Sequence, residues 1–287
     1  MIICKTHQDM TKLLQPLRQH KGAVGFVPTM GALHPGHISL VDKAREQCPV
    51  LVSSIFVNPT QFNDPGDFEK YPVTIEKDID MLEAAGCDIL FLPSVKEIYP
   101  GGLTTTESYA LGYLETVLEG KYRPGHFQGV CRVVHRLLDM IQPDIIFLGQ
   151  KDYQQCMVIQ KMIALKGLNA AVAICPTCRE SNGLAMSSRN MRLDDAGKIA
   201  AAQLYQTLMY IRAALQSGHA DIGLIKEKAA QQLMQGGLKP DYVEIADAQT
   251  LVLLQEAVNG ATVVALVAAF LGDVRLIDNL VIEILPA

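Results

Sequence analysis

The first two-thirds of the chain alternate short apolar runs with segments whose apolar residues recur three and four positions apart. The runs predict strands and the periodic segments predict helices. The predicted strands are 23–27, 50–57, 88–92, 145–148 and 170–174, and the predicted helices are 36–47, 74–85, 130–141 and 153–165. In helix 74–85, Ile75, Ile79 and Leu82 share the expected apolar face. Strands that are apolar throughout and separated by helices indicate an α/β fold, a Rossmann-like doubly wound parallel sheet.

The pattern changes after Cys178, where the polar segment 179–183 follows. The remaining residues predict two helices, one of them long and Ala-rich, and then three strands of which the last two are joined by a two-residue turn at Gly272–Asp273. These elements are helices 194–216 and 222–235 and strands 241–245, 262–271 and 274–284. We therefore expect two domains, a Rossmann-like domain 1–177 and a smaller α+β domain 178–287.

Composition and charge argue against two classes of protein, nucleic-acid-binding proteins and membrane proteins. Lys plus Arg is 25 and Asp plus Glu is 30, so the net charge of −5 gives no basic excess for binding nucleic acid. The longest apolar run, 263–271, is far shorter than the ~20 residues that span a bilayer, and the N-terminus carries no long apolar segment. We expect a soluble, cytoplasmic protein without a membrane or nucleic-acid partner.

The 7 cysteines are scattered and odd in number, which is typical of reduced, buried thiols. Cys175-Pro-Thr-Cys178 has the spacing of a redox dithiol or of half a zinc site. A structural zinc site needs four ligands, and the sequence holds no second Cys pair or His pair of suitable spacing. Two small residues leaving a buried strand is the simpler interpretation, and the dithiol is the alternative.

The segment Pro28-Thr-Met-Gly-Ala-Leu-His-Pro-Gly-His37 directly follows the first predicted strand. Pro35 suits the first turn of the next helix, and His34 and His37 then project from one side of its N-terminus. Helix N-termini offer N–H groups and a positive dipole end to phosphate. Two imidazoles at this position are suited to charge that develops on phosphate oxygens.

Three further polar clusters come where strands are expected to end, or between the domains. Asn58 and Gln61 follow the strand 50–57, and Gly149-Gln-Lys-Asp-Tyr-Gln-Gln155 follows the strand 145–148. Lys151 is a compact cation for phosphate, and Asp152 can accept from ribose hydroxyls. Met186-Ser-Ser-Arg-Asn190 adds hydroxyls and a guanidinium. Ligands of such sheets bind beyond the carboxyl ends of the strands, where these clusters converge.

These motifs together resemble a known family. His-x-Gly-His after the first strand with a later Met-Ser-Ser-Arg is similar to the nucleotidyltransferase superfamily that includes class I aminoacyl-tRNA synthetases. The segments 28–37, Phe56-Val-Asn-Pro-Thr-Gln-Phe62, Arg123-Pro-Gly-His-Phe127, 149–155 and Gly183-Leu-Ala-Met-Ser-Ser-Arg-Asn190 resemble the pantothenate synthetase (pantoate–β-alanine ligase) family, with a match from about Thr6 to Ile284.

The resemblance implies a homodimeric cytoplasmic ligase that condenses pantoate with β-alanine and converts ATP with Mg²⁺ to AMP and pyrophosphate, through a pantoyl-adenylate. Its C-terminal domain would be a lid. By resemblance, His34, His37 and Lys151 are catalytic, and Gln61, Gln155 and Asn58 bind pantoate. The metal ligands are not assigned. The implied ATP site comprises Met30, Gly31, Ala32, Leu33, His34, Pro35, Gly36, His37, Gly149, Gln150, Lys151, Asp152, Cys178, Met186, Ser187, Ser188 and Arg189.

Three positions depart from the family pattern. Gln150 stands where Glu is common, Val73 where Arg is frequent, and Cys178 where an aliphatic residue is usual. Arg123 and His126 are expected at the rim of the site or in a dimer contact.

Two other functions remain open from the residues alone. One is a nucleotidyltransferase that makes a dinucleotide, or a tRNA synthetase fragment, against which the acidic balance and the lack of an anticodon-binding region argue. The other is a nucleotide-binding module without catalysis, which predicts loss of phosphate ligands that this chain retains.

Overall fold

The chain divides into two units, Met1–Pro176 and Thr177–Ala287. The structure is a computed structural model, and it describes residues 1–63, 65–104, 106–217, 221–256 and 260–284. No helix among these residues is long and apolar enough to cross a membrane.

The first unit is built on a six-stranded parallel sheet. Its strands are β1 (Ile2–Cys4), β2 (Val24–Thr29), β3 (Val50–Ile55), β4 (Ile89–Phe91), β5 (Ile145–Gly149) and β6 (Ala171–Cys175). They lie in the order β1-β4-β3-β2-β5-β6. The chain runs from β2 through β3 to β4 on one side and continues at β5 on the other, so the switch in strand order lies between β2 and β5. All residues of β3 are buried, as expected for a central parallel strand.

Eight α-helices and three short 3₁₀ helices are described in this unit. The α-helices are α1 (His7–Lys21), α2 (Pro35–Gln47), α3 (Pro65–Glu69), α4 (Ile75–Ala84), α5 (Val95–Ile98), α6 (Leu118–Tyr122), α7 (His126–Ile141) and α8 (Tyr153–Lys166). The 3₁₀ helices are Pro59–Gln61, Gly112–Glu115 and Gln150–Asp152. The α/β fold and each strand predicted for this unit are confirmed within a few residues at their ends.

The differences have local causes. The sequence did not predict β1 or α1, because β1 is a short edge strand with two exposed residues and α1 contains Pro16. Helix α7 begins at His126 rather than Val130, since Gly125 takes a left-handed conformation before it. The apolar face predicted for α4 is wrong at Ile75, which is 37% exposed, whereas Asp78 is buried.

The second unit is a three-stranded antiparallel sheet, with its strands side by side in chain order and helices packed on it. The two-residue turn at Gly272–Asp273 is confirmed, because Leu271 pairs with Val274. A single helix 194–216 is wrong: Ala202 interrupts it, and the buried Ala201 and Ala202 pack into the core of this unit. The elements are α9 (Asp195–Ala201), α10 (Gln203–Gln216), α11 (Ile222–Gln235), β7 (Lys239–Asp247), β8 (Thr262–Leu271) and β9 (Val274–Glu283), with a 3₁₀ helix at Ser188–Arg192.

Candidate active site

The turn between β2 and α2 is held by a buried carboxylate from another helix. Asp78 of α4 accepts hydrogen bonds from the N–H groups of Ala32 at 2.9 Å and Leu33 at 2.8 Å, and the Thr74 hydroxyl donates to it at 2.9 Å. Gly31 and Ala32 both have positive φ, +82° and +50°, which is uncommon for Ala. Asp78 therefore stabilises a strained turn, and sequence reasoning missed this residue because an acid within a helical pattern gives no sign of its partners.

His34 and His37 lie together where α2 begins. His34 is the residue before the helix, and the two ring centroids are 4.0 Å apart. The His34 N–H donates to Nδ1 of His37 at 3.3 Å, so Nδ1 of His37 carries no proton and Nε2 does. Nδ1 of His34 is buried and makes no hydrogen bond to any described residue. Each ring thus keeps one nitrogen, Nδ1 of His34 and Nε2 of His37, that makes no hydrogen bond to the residues the structure describes.

Both imidazoles are neutral in this environment. Burial, followed by the charge of Lys151, lowers the pKa of His34 to about 4. Burial, followed by His34 and Lys151, lowers the pKa of His37 to about 3. Since Lys151 follows β5 and the histidines follow β2, the switch point brings the two motifs into electrostatic contact, as the sequence predicted.

Most backbone N–H groups of the turn and of the first helical turn are used within the protein. Gly31 donates to the Thr29 hydroxyl, and both His37 and Ile38 donate to the His34 carbonyl. Pro35 has no N–H. Gly36 has the one amide of this helical turn that these bonds do not use. An anion at this end of α2 would therefore meet imidazole nitrogens more than backbone amides, in contrast to the expectation from a helix N-terminus alone.

Lys151 and Asp152 lie in the 3₁₀ helix that directly follows β5. The Lys151 Nζ is 3.6 Å from Asp152 Oδ1. Gly149, the last residue of β5, has an ordinary φ of −78°, and a Cβ built on it would have no atom within 4 Å. Nothing in the described chain requires glycine there, so open space adjoins the end of this strand.

Asn58 and Gln61 form a hydrogen-bonded pair at the end of β3. The buried Asn58 accepts from the Tyr99 hydroxyl at 2.8 Å and donates to Oε1 of Gln61 at 3.2 Å. Nε2 of Gln61 lies 2.9 Å from the Sδ atom of Met30. These contacts fix the Gln61 amide beside the turn that carries His34.

Helix α7 packs directly on this segment. Asn58 Nδ2 donates to the Gly129 carbonyl at 3.2 Å, and a Cβ on Gly129 would lie 2.2 Å from the carbonyl oxygen of Thr60. Glycine is therefore required at position 129 for α7 to approach residues 59–61 this closely.

The two adjacent glutamines of α8 differ in their surroundings. Gln154 is buried, donates to the carbonyls of Leu114 and Val117, and accepts from the Glu119 N–H. Gln155 is half-buried, and its side chain makes no hydrogen bond to any residue that the structure describes. Gln154 is thus a structural residue, and Gln155 is available to a ligand.

The remaining predicted site residues belong to the second unit. The Met186 N–H donates to the Cys178 carbonyl at 3.0 Å, and Ser187 Oγ accepts from the Arg189 N–H at 3.3 Å. The buried Asn190 donates to the Ala185 carbonyl at 3.0 Å and holds the preceding segment in place. These hydrogen bonds fix the conformation of residues 186–189. The role in nucleotide binding that the sequence predicts for their side chains stays a prediction.

Val73, one of the three residues that depart from the family pattern, lies at the surface of the first unit. Val73 is 69% exposed and lines, with Gly31, Phe56 and Asp78, an apolar cavity of about 330 Å³ behind the turn.

All seven cysteines are free thiols, and burial raises the pKa of Cys175. The described residues contain no group of three or more His, Cys, Asp or Glu side chains placed to hold a metal ion.

Comparisons with known proteins agree with this geometry. The family model described as pantoate-beta-alanine ligase matches residues 2–281. A pantothenate synthetase structure from Thermus thermophilus has 39% identity and a TM-score of 0.88, with 100% of each chain covered. A pantoate-beta-alanine ligase from Francisella tularensis, solved with "Beta-gamma ATP" and beta-alanine, has 37% identity and a TM-score of 0.80, with 98% of this chain and 97% of that chain covered.

Proposed function

The chain belongs to the pantoate–β-alanine ligase family, which makes pantothenate at the expense of ATP, and we propose that it does so in two steps at the site described above. In the first step the pantoate carboxylate attacks the α-phosphorus of ATP, and pyrophosphate leaves with the electrons of the broken P–O bond. In the second the β-alanine amine attacks the carbonyl of pantoyl-adenylate, loses a proton, and AMP leaves.

The proposal rests on one observation: the Lys151 charge acts on the imidazoles of His34 and His37 at the switch point between β2 and β5. The pantoate carboxylate is already an anion, so the first step needs no side-chain nucleophile. It needs donors placed against the charge that develops on the α-phosphate and on the leaving pyrophosphate. His37 Nε2–H and the Lys151 ammonium are such donors, and His34 adds a second imidazole.

Pantoate binding is assigned to Gln61, Gln155 and Asn58. Asn58 supports this role by fixing the Gln61 amide, and Gln155 presents an amide that the described chain does not use. Two amides suit the hydroxyls and carboxylate of pantoate because each offers both a donor and an acceptor.

The nucleotide is assigned to three segments. Residues 30–37 and 149–152 hold the phosphates and ribose, with open space at Gly149 for close approach. In the second unit, the backbone of Cys178 contacts adenine, and Met186–Arg189 close over the β- and γ-phosphates. That lid role excludes water from the mixed anhydride.

The family resemblance further implies Mg²⁺, a homodimer and a cytoplasmic location, which we include in the proposal. Mg²⁺ that arrives on ATP needs only one or two protein carboxylates, and Asp152, partly exposed beside Lys151, meets that need. When bound, Mg²⁺ would neutralise phosphate charge. Light scattering of the purified chain measures the oligomeric state.

Isotope exchange tests the two-step proposal. Labelled pyrophosphate should enter ATP when ATP, Mg²⁺ and pantoate are present and β-alanine is absent, because the adenylate forms before the amine reacts. Gln61→Ala should abolish exchange and net synthesis together. Exchange that strictly requires β-alanine would favour a concerted reaction, and exchange driven by an amino acid in place of pantoate would overturn the assignment.

A further inference from the structure

Two neighbouring side chains, the half-buried Arg123 and the buried His126, lie against the main chain of Gln61. Nδ1 of His126 is 2.8 Å from the Gln61 carbonyl oxygen, and Arg123 Nη1 is 3.2 Å from Nε2 of the same ring. His126 is only 5% exposed and begins α7. The sequence placed both residues at the rim of the site or in a dimer contact, but His126 is buried beneath the segment that carries Gln61.

The two contacts determine which nitrogen of His126 holds the proton. A carbonyl oxygen only accepts, so Nδ1 must carry the hydrogen that bonds to Gln61. A guanidinium only donates, so Nε2 must accept from Arg123. Burial and the Arg123 charge lower the pKa of His126 to about 4, in agreement with a neutral ring. Arg123 therefore selects the tautomer that can donate to Gln61.

Other charged and polar groups support the same arrangement. Glu119 Oε2 is 3.6 Å from Arg123 Nη1, and the Glu119 N–H bonds to the buried Gln154 at 2.9 Å. A connected path thus runs from α8, next to Gln155, through α6 to the carbonyl of Gln61. On the other side of Gln61, Asn58 fixes the side-chain amide. The main chain and the side chain of this one residue are anchored separately.

We propose that His126 is a positioning residue for pantoate, which acts by fixing the carbonyl of Gln61 and so the direction of its side chain, and that Arg123 holds His126 in the required tautomer. This inference rests on the proposed role of Gln61. It assigns His126 no contact with pantoate or ATP, so its loss should weaken pantoate binding selectively.

Two substitutions of His126 distinguish the effect of losing the hydrogen bond from the effect of losing side-chain packing. Asn carries its amide nitrogen where the ring has Nδ1, whereas Ala has no donor. His126→Ala should raise the KM for pantoate roughly tenfold, since the half-buried Gln61 carbonyl then keeps only the longer, 3.5 Å hydrogen bond from Arg123 Nη2. The KM for ATP should change less than twofold. His126→Asn should restore pantoate KM to within about threefold of wild type. His135→Ala, on the same helix, is the matched control and should leave both constants unchanged.

Pantoate binding measured by calorimetry distinguishes the possible failures. If the wild-type chain does not bind pantoate, the proposed function fails. If Gln61→Ala loses binding while a folded His126→Ala keeps it, only the present inference fails. Equal damage by Asn and Ala, or an equal rise in both KM values, would also overturn it.

Nitrogen NMR of labelled histidine provides a test that requires no substituted ring. The wild-type spectrum should show at least one neutral histidine with the proton on Nδ1, unchanged between pH 8 and pH 6. A spectrum in which every histidine carries its proton on Nε2, or is protonated at pH 6, would overturn the assignment.

Discussion

Asp78 Oδ1 accepts a hydrogen bond from the Leu33 N–H at 2.8 Å, although the two residues are 45 positions apart in the chain. This contact, with the one from Ala32, sets the backbone just before His34. The buried carboxylate takes three donors, and all three hydrogen bonds would be lost if Asp78 were removed.

Asp78→Ala should lower the free energy of unfolding by about 2–5 kcal/mol, because two buried amides lose their acceptor. It should also lower kcat/KM for ATP at least ~tenfold by displacing the histidines. Urea denaturation and steady-state kinetics measure the two effects. Asp80→Ala, at an exposed position of the same helix, is the control and should change stability by less than ~0.5 kcal/mol. Full activity in Asp78→Ala would contradict this role.

His37→Ala should reduce the rate of pyrophosphate exchange by ~10²–10³, the usual cost of removing one donor to transition-state charge. Nδ1 of His37 accepts a hydrogen bond from the His34 N–H, so Nε2 of His37 is the donor to the phosphate. A Gln side chain can place its amide nitrogen near the position of Nε2, whereas the shorter Asn cannot. We therefore expect His37→Gln to retain more exchange activity than His37→Asn. The reverse order would place the functional proton on the other ring nitrogen.

The low pKa of His126, about 4 in the folded chain, makes stability depend on pH. An unfolded histidine titrates near 6.5, so between these values the unfolded chain binds more protons. The free energy of unfolding should therefore fall as pH decreases from about 6.5 towards 4, and this contribution is fully present above 6.5.

His126→Asn should make that fall less steep, by up to ~1.4 kcal/mol per pH unit, because one titrating group is removed. Denaturation at several pH values measures the slope. Above pH 7 the curves of the variant and the wild type should run parallel, which serves as the internal control. Identical slopes at pH 4–6 would mean that His126 is not buried as a neutral ring.

Gly149→Ala should fold normally and raise the KM for ATP about tenfold, because a methyl group there meets nothing in the chain and would meet the nucleotide. Gly101→Ala is the matched control, since its added Cβ also has no neighbour within 4 Å. Thermal unfolding and initial rates compare the two variants. An unchanged KM for ATP in Gly149→Ala would place the nucleotide elsewhere.

The sequence predicted the parallel sheet well, for a physical reason. Apolar strands and helical periods are local signals, and the ends of neighbouring parallel strands must converge. The order of His34, Gln61 and Lys151 along the chain therefore predicted that they lie at one edge of the sheet. In the structure, Gln61 Nε2 is 2.9 Å from Met30 Sδ in the turn before His34, and the Lys151 charge acts on His34.

Long-range polar contacts were not predictable in the same way. Asp78 lies inside a helical pattern in which Ile75 was expected to be buried, and nothing local identifies its partners in the turn. His126 is within a recognisable motif, yet its bond to Gln61 spans 65 positions. Such pairings depend on how helices cross, which residue spacing does not encode.

The contact at Gly129 has a consequence for altering the substrate range. Because even one methyl group at that position would overlap the Thr60 carbonyl, the backbone beside Gln61 cannot move closer to α7. Given the pantoate site proposed at Gln61, room for a bulkier hydroxy acid would therefore have to be made by exchanging side chains across from that residue. Position 129 is one that a library of variants should hold constant.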